Sequence, residues 1–258
     1  MSITEALVLG IIQGLTEFLP ISSSGHLALG NYFMGRTNSD SNLTYTLILH
    51  LATLAAVLLY YRQRIYDLLR SPGRDLVALV VATIPIVLVG FFLGDQIKKT
   101  QELPLLIAIC FIINGIFLWI ADRLGRGDQP LSVAPWWKIV TIGVAQAIRL
   151  PGLSRSGGTI GAGWLCGIER GDAVRFSFLL SIPAILGACA KDLLKHGMGK
   201  VELPLVPILL GAGTAFVLSL VSIRVVERLS TRNRFLVFAV YGVAAGVFVA
   251  AWVLASGR

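Results

Sequence analysis

Charged residues are scarce in this chain. Only 14% of its 258 residues are Asp, Glu, Lys or Arg, compared with about a quarter in an average soluble domain. Apolar residues make up 55%, and the mean hydropathy is +0.79, which exceeds what the core of a soluble domain of this size needs. The composition therefore excludes a soluble globular fold and predicts an all-α polytopic membrane protein.

Cysteine is also rare, with three residues in the whole chain. Cys110, Cys166 and Cys189 lie far apart, in or near apolar segments. They have neither the spacing of metal ligands nor the even number that a set of disulfides would need. We interpret them as packing residues.

Apolar runs of about 18–20 residues are long enough to cross roughly 30 Å of hydrocarbon. Six occur, at about 43–61, 76–94, 104–121, 173–190, 203–223 and 235–255. Two further segments, about 3–30 and 138–167, are apolar but interrupted by Pro, Gly and polar residues. The opening MSITEALVLG has no basic n-region and no small-residue cleavage site, so we expect it to belong to the mature fold.

The formal net charge is +8. In a membrane protein this excess is expected from the positive-inside bias of the loops, with some attraction to anionic lipid heads. We therefore expect membrane lipids, and no nucleic acid, among the partners.

The two interrupted segments resemble each other. GIIQGLTEFLPISSSG (10–25) matches GVAQAIRLPGLSRSG (143–157) at its Gly, Gln, Leu-Pro, Ser and Ser-Gly positions. Three uninterrupted spans follow each segment, so the single membrane domain divides into two repeats, about 1–125 and about 133–258.

The topology depends on whether the interrupted segments cross the membrane. If they do, the Lys and Arg residues of the loops divide almost evenly between the two sides. If each segment dips in and returns, most of these charges fall on one side, which the positive-inside rule makes cytoplasmic. We therefore predict an inverted-topology repeat of six transmembrane helices plus two re-entrant helical hairpins that meet near the midplane. Irregular backbone at that depth must be enclosed by protein or line a water-filled cavity.

Each predicted hairpin contains a helix start at membrane depth. Pro20 cannot continue a helix and serine is a favoured N-cap, so we expect one helix to end near Leu19 and another to start around Ser22–Ser24. The second segment repeats this pattern with Pro151 and Ser154. Two helix N-termini facing each other form an anion site. Arg155 adds a planar cation that suits phosphate.

The first hairpin carries side chains with catalytic potential. His26 lies three and four residues after Ser23 and Ser22, so on a helix it shares their face. A hydroxyl and an imidazole beside a bound phosphate are the groups that phosphoryl transfer uses. Glu17, four residues after Gln13, could hold a divalent cation or orient the histidine.

Simpler explanations exist for each residue taken alone. The serines and glycines could serve close helix packing, His26 could be a structural hydrogen-bonding group, and Glu17 with Arg155 could form a structural ion pair. Polar residues at membrane depth are functional by default, and their clustering in two related segments favours a site. His50 is equally compatible with a core or a pore-lining role, and Asn114 is expected to bond between helices.

The motifs QGLTEFLPISSSGH (13–26) and LPGLSRSGGT (150–159) closely resemble the two signatures of the bacitracin-resistance type of undecaprenyl-diphosphate phosphatase. The similarity extends through FSFLLSIPAILGA (176–188) and the layout of the spans. The resemblance implies an enzyme of the bacterial inner membrane that hydrolyses the C55 lipid diphosphate to undecaprenyl phosphate and phosphate, recycling the lipid carrier of cell-wall synthesis. It also implies a site open to the outer side, a need for Mg²⁺ or Ca²⁺, and a homodimer as one plausible assembly.

Residue roles follow from the resemblance by position. It makes Glu17, Ser23 and His26 catalytic, and it leaves open whether Ser23 or His26 is the nucleophile. The substrate-binding residues it implies are Ser22, Ser24, Ser154, Arg155, Ser156 and Thr159. Glu17 and Gln13 would hold the metal, although some members have a second acid at the position of Gln13, and an amide there weakens a two-carboxylate site.

A transporter (flippase) of undecaprenyl phosphate is the alternative, either alone or as a second activity. Inverted repeats with broken helices that meet at the midplane are common in secondary transporters. The Ser, His and Glu residues beside Arg155 favour the phosphatase, because a transporter needs an anion site but neither a nucleophile nor a proton shuttle. A channel or structural protein would need none of these residue types.

Overall fold

The computed structural model describes residues 1–35, 40–125, 127–196, 204–231 and 234–256. Over these ranges the regular structure is helical, apart from one isolated bridge between Gln129 and Ile168. The α-helices are α1 (Ile3–Thr16), α2 (Ser23–Phe33), α3 (Asp40–Tyr60), α4 (Arg62–Arg70), α5 (Arg74–Lys99), α6 (Pro104–Leu124), α7 (Trp136–Ala147), α8 (Arg155–Leu165), α9 (Arg170–His196), α10 (Leu205–Thr231) and α11 (Leu236–Ala255). The predicted all-α polytopic fold is confirmed.

Over the described residues, each of the six predicted apolar runs coincides with one long helix, except for a single flanking residue at position 61, 204 or 235. Five helices, α5, α6, α9, α10 and α11, are long and apolar enough to cross a membrane on their own. The sixth span is α3, which passes the same test only together with α4, and the axes of the two helices differ by 73°.

The distribution of Lys and Arg predicts cytoplasmic loops at 62–74 and 224–234, but the described residues of both stretches are largely helical. Residues 62–70 form α4, and α10 continues through Arg224 and Arg228 to Thr231, while Arg232 lies outside the described residues. Both stretches contain Arg and Leu, which are good helix formers whether or not lipid surrounds them. The loop interpretation, which was based on charge alone, was therefore wrong for these residues.

The two interrupted segments form pairs of short helices. α1, α2, α7 and α8 have 14, 11, 12 and 11 residues, so at about 1.5 Å per residue none is long enough to cross roughly 30 Å of hydrocarbon. α1 packs against α2, and α7 packs against α8. This geometry agrees with the predicted re-entrant hairpins.

The break in the first hairpin comes slightly earlier than predicted. We expected the helix to end near Leu19, but it ends at Thr16. Pro20 explains the position, because its ring has no N–H to donate to the carbonyl four residues earlier and clashes with it. The predicted start of the next helix, around Ser22–Ser24, is confirmed by α2.

Helix packing follows the same pattern in both halves of the chain. α1 packs along α10 as α7 packs along α5, and α3 contacts α10 as α9 contacts α5. Gly10 and Gly143 allow close approaches between α1 and α10 and between α7 and α5, since a Cβ there would lie 2.5 Å from the carbonyl oxygen of Gly211 and 2.6 Å from that of Ala82. These contacts are consistent with the proposed duplication, whose boundaries stay a prediction.

The three cysteines are free thiols. Cys110 is buried, while Cys166 and Cys189 are half-buried. Their positions agree with the packing role that the sequence predicts.

Candidate active site

The turns of the two hairpins contact each other directly. The backbone N–H of Gly152 donates to the hydroxyl oxygen of Ser22 at 3.1 Å, and the hydroxyl of Ser156 donates to the carbonyl of Leu19 at 3.3 Å. The hairpins therefore meet, as the sequence predicts.

Asn114 on α6 joins the same two turns. Its Nδ2 donates to the carbonyl of Pro20 at 2.9 Å, and its Oδ1 accepts from the N–H of Ser154 at 3.0 Å. The side chain is 3% exposed, so both bonds are shielded from solvent. The predicted bridging role of Asn114 is confirmed, and its partners are backbone groups of the hairpins.

Each hairpin presents a capped helix N-terminus. The hydroxyl oxygens of Ser22 and Ser154 accept the N–H groups of Gly25 and Gly157, at 3.4 Å and 3.0 Å. Ser22 has a φ of 71°, a left-handed conformation that costs a non-glycine residue about 1 kcal/mol or more. The surrounding bonds hold this residue in a strained conformation, which is common at functional sites.

Glu17 lies at the centre of the two hairpins and is buried. Its Oε1 accepts from Arg155 Nη2 at 2.6 Å. Its Oε2 accepts from the Ser23 hydroxyl at 2.6 Å and from Gln13 Nε2 at 3.0 Å. The ion pair that the sequence allowed is present, and the same carboxylate also contacts a predicted nucleophile.

Arg155 has a second guanidinium nitrogen with no protein partner. Its Nη1 is buried and makes no hydrogen bond, whereas buried donors are nearly always paired. It belongs to the first residue of α8, directly after the N-cap Ser154, where backbone N–H groups favour negative charge. An oxygen of a bound phosphate would satisfy this donor.

His50 on α3 is a site residue that the sequence did not identify. Its Nε2 lies 3.8 Å from Glu17 Oε2, and its Nδ1 lies 2.8 Å from the carbonyl of Thr46. Because a carbonyl only accepts, Nδ1 carries a proton and Nε2 faces the carboxylate. The one signal in the sequence was that a polar imidazole lies within an apolar run, where it is energetically costly. That signal does not distinguish a residue of the packed core from a residue of a functional site.

His26 does not bond to Ser23. Its Nδ1 lies 2.7 Å from the carbonyl of Ser22, and its Nε2 lies 2.8 Å from the hydroxyl of Tyr241. The helical face predicted for His26 is correct with respect to Ser22, four residues earlier, but the Ser23 hydroxyl points to Glu17 instead. No signal near Tyr241 in the sequence indicated this contact, because 215 residues separate the two side chains.

The family model described as bacitracin resistance protein BacA matches residues 6–248. The chain belongs to the BacA family. It is 40% identical over 254 residues to a protein of Desulforudis audaxviator named undecaprenyl-diphosphatase, with 95% of each chain covered. A protein of the same name from Magnetococcus marinus is 42% identical over 223 residues, covering 79% of this chain and 82% of the relative.

In this BacA-family chain, the predicted substrate-binding residues differ in accessibility. Ser156 and Thr159 are each 1% exposed. The hydroxyl of Thr159 donates to the carbonyl of Arg155 at 2.9 Å and lies 2.6 Å from Ser177 Oγ. Ser23, Ser24 and Arg155 are partly exposed. As placed, the buried hydroxyls support the second hairpin, and the partly exposed groups are the ones a ligand can reach.

The predicted cation ligands offer few donors. In the described part of the BacA-family chain, no three His, Cys, Asp or Glu side chains form a group that could hold a metal ion. Gln13 turns its amide nitrogen to Glu17, and its Oε1 is buried without a partner. Mg²⁺ is often bound by only one or two protein carboxylates, with phosphate oxygens and water completing the shell, so a cation here would depend on oxygens of the substrate.

Proposed function

We propose that this chain is an undecaprenyl-diphosphatase that hydrolyses undecaprenyl diphosphate to undecaprenyl phosphate and phosphate. Relatives with that name align over most of its length. The observation that carries the proposal is the Glu17 carboxylate, which connects the hydroxyl of Ser23 on the first hairpin to the guanidinium of Arg155 on the second. A pure anion carrier has no use for a hydroxyl bonded to a carboxylate.

Substrate binding would change the partners of Arg155. Its free Nη1 and the two helix N-termini attract the diphosphate. A phosphate that pairs with Arg155 competes with Glu17 for the guanidinium. The carboxylate then keeps its bond to Ser23 but loses part of its compensating positive charge, so it becomes a better proton acceptor.

The reaction then proceeds in two transfers. Ser23 Oγ attacks the terminal phosphorus as Glu17 takes the hydroxyl proton, forming an O–P bond. The bond from the terminal phosphorus to the bridging oxygen breaks, and undecaprenyl phosphate leaves with the electron pair. Water next attacks the phosphorus of the phosphoserine, and the bond from that phosphorus to Ser23 Oγ breaks. Glu17 returns its proton to Ser23 Oγ, and phosphate leaves with the oxygen and one proton of the water while the other proton passes to solvent. Ser23 is favoured as the nucleophile over His26 because both nitrogens of His26 have other partners.

We further propose that Mg²⁺ or Ca²⁺ assists the reaction, held by Glu17 and Gln13. A bound cation would neutralise charge on the phosphate oxygens. The chain's own contribution is to hold those oxygens at Arg155 and the helix N-termini and to position the Ser23 hydroxyl.

The described helices define a multi-pass membrane protein. For its location we propose the bacterial inner membrane, with the arginines of α4 on the cytoplasmic side by the positive-inside rule and the site open to the outer side. All the site contacts described above lie within one chain, so a homodimer would contain two complete sites.

The direct test is phosphate release from a C55 lipid diphosphate by purified protein in detergent, with Mg²⁺ or with EDTA. Wild type should release phosphate, EDTA should suppress release, and Ser23→Ala should lose at least a hundredfold in rate. Ser256→Ala, an exposed serine near the end of α11, is the matched control and should behave as wild type. A folded wild-type protein that releases no phosphate under either condition would refute the proposal.

A further inference from the structure

We propose that Tyr241 is a positioning residue for His26. Its hydroxyl donates to Nε2 of His26 and, with the Ser22 carbonyl at Nδ1, holds the ring in one orientation and one tautomer. The inference rests on the proposed phosphatase function, in which Ser23 and Glu17 carry the two transfers and the resemblance makes His26 a further residue of the site.

The hydrogen bonds of His26 fix the direction of each proton. The carbonyl of Ser22, 2.7 Å from Nδ1, can only accept, so Nδ1 carries the hydrogen. In the neutral ring Nε2 is then a bare acceptor, and the Tyr241 hydroxyl at 2.8 Å is its donor. Tautomers follow from such hydrogen-bond networks. Here the Ser22 carbonyl fixes the proton on Nδ1, and the Tyr241 hydroxyl, which can donate or accept, is compatible with that assignment.

The packing of α6 against α11 brings Tyr241 to this place. Gly242, the next residue, contacts the backbone of α6, since a Cβ there would lie 3.1 Å from the carbonyl oxygen of Phe111. Gly115 makes a similar approach, because a Cβ on this residue would lie 2.6 Å from the carbonyl oxygen of Ala239. Small residues at such crossings let helices approach closely. Tyr241 is therefore held beside α6 by backbone contacts on both helices.

Two aromatic rings hold the imidazole in place. The His26 ring centroid lies 4.8 Å from that of Phe111 and 5.7 Å from that of Tyr241, with 16° between the planes of the His26 and Tyr241 rings. Tyr241 itself is 44% exposed, so burial alone does not explain a hydroxyl aimed at a histidine nitrogen. Its function is to hold the imidazole in one tautomer and one orientation beside the turn of the first hairpin.

The variant Tyr241→Phe tests this role, because it keeps the stacked ring and removes only the donor. Protein with ¹⁵N-labelled histidine in lipid bilayers would be studied by solid-state NMR, with His26 assigned by comparison with His26→Gln. In wild type, Nδ1 should be protonated and Nε2 should be a hydrogen-bonded acceptor. In Tyr241→Phe the Nε2 resonance should shift towards that of an unbonded imidazole nitrogen, and kcat should fall about tenfold, as expected for one lost hydrogen bond, with KM nearly unchanged.

Tyr66→Phe is the matched control, because Tyr66 is a similarly exposed tyrosine on α4, and it should change neither the spectrum nor the rate. A wild-type spectrum with the proton on Nε2 would overturn the inference without any variant. An unchanged His26 spectrum and kcat in folded Tyr241→Phe would overturn it as well. Full activity of His26→Ala would instead remove His26 from the proposed reaction, a failure that is distinguishable because the NMR result does not depend on turnover.

Discussion

At the scale of single residues, the main feature of the site is a buried ion pair. The side chains of Glu17 and Arg155 are only 5% and 10% exposed, and breaking such a pair by removing one partner commonly costs about 3–5 kcal/mol. The pair is therefore needed for the integrity of the hairpins as well as for binding. A variant that keeps the charge but changes the geometry of the charged group separates these two roles better than an alanine variant does.

Arg155→Lys is the most informative such change. A lysine retains the positive charge beside Glu17 but cannot bond to the carboxylate and a phosphate through separate nitrogens of a planar fork. We expect kcat/KM for the lipid diphosphate to fall about a hundredfold, or about 3 kcal/mol in transition-state stabilisation. Phosphate release measures it, with the exposed Arg62→Lys as control. Near-normal turnover in the Arg155 variant would refute the role given to the guanidinium.

The residue scale also shows what the sequence could predict of the site. Glu17, Ser23 and Arg155 lie in two recognisable motifs, and the structure brings all three together. His50 and Tyr241 come from other helices and were missed, because their contacts depend on how those helices pack. The expected pairing of Ser23 with His26 relied on helical spacing alone, which cannot show that Glu17 offers the hydroxyl a closer acceptor.

At the scale of elements, the site depends on the contacts that hold the turns of the two hairpins against each other. The breaks themselves were predictable, because proline and N-cap serines act locally. The support from α6 was only partly predictable. A buried asparagine predicts a hydrogen bond between helices, but its bonds to Pro20 and Ser154 depend on the tertiary packing of α6 against the two hairpins.

Asn114→Leu tests this support. The substitution leaves the carbonyl of Pro20 and the N–H of Ser154 buried without their partner, at a cost of about 1–3 kcal/mol for each unsatisfied group. We expect a lower unfolding temperature in detergent and a loss of phosphate release larger than the loss of folded protein. Ile113→Ala, at the exposed neighbouring position on α6, should leave activity unchanged. An Asn114→Leu protein with normal stability and turnover would show that the two turns do not need this bridge.

At the scale of the whole molecule, the fold places one polar site inside a chain whose outer helices are apolar. The spans were predictable from hydropathy, because a helix that faces lipid must be apolar along its whole length. The bend between α3 and α4 and the helical extension of α10 were not, because charge identifies a cytoplasmic side but does not distinguish a loop from a helix.

Cysteine labelling tests the orientation of this molecule. In a background without Cys110, Cys166 and Cys189, an impermeant thiol reagent applied from outside should label a cysteine at Lys99, at the end of α5, and spare one at Arg70, at the end of α4. Both positions are exposed, so a difference in labelling reports the side of the membrane. The sequence also suggests Asn38 and Arg232 as outer and inner positions, but these lie outside the described residues. Labelling at Arg70 and not at Lys99 would reverse the orientation.

The central claim is that Ser23, bonded to Glu17 and facing Arg155, receives the phosphoryl group. The measurement that tests it most directly is acid quenching of the enzyme during turnover of a lipid diphosphate with a labelled terminal phosphate, followed by mass spectrometry of the peptide that contains residues 18–26. The account predicts phosphoserine at Ser23, formed more slowly in Glu17→Gln and absent in Ser23→Ala. Because acid destroys phosphohistidine, a parallel quench in base should show no phosphate on His26. Label on His26, or steady turnover in Ser23→Ala, would contradict the account.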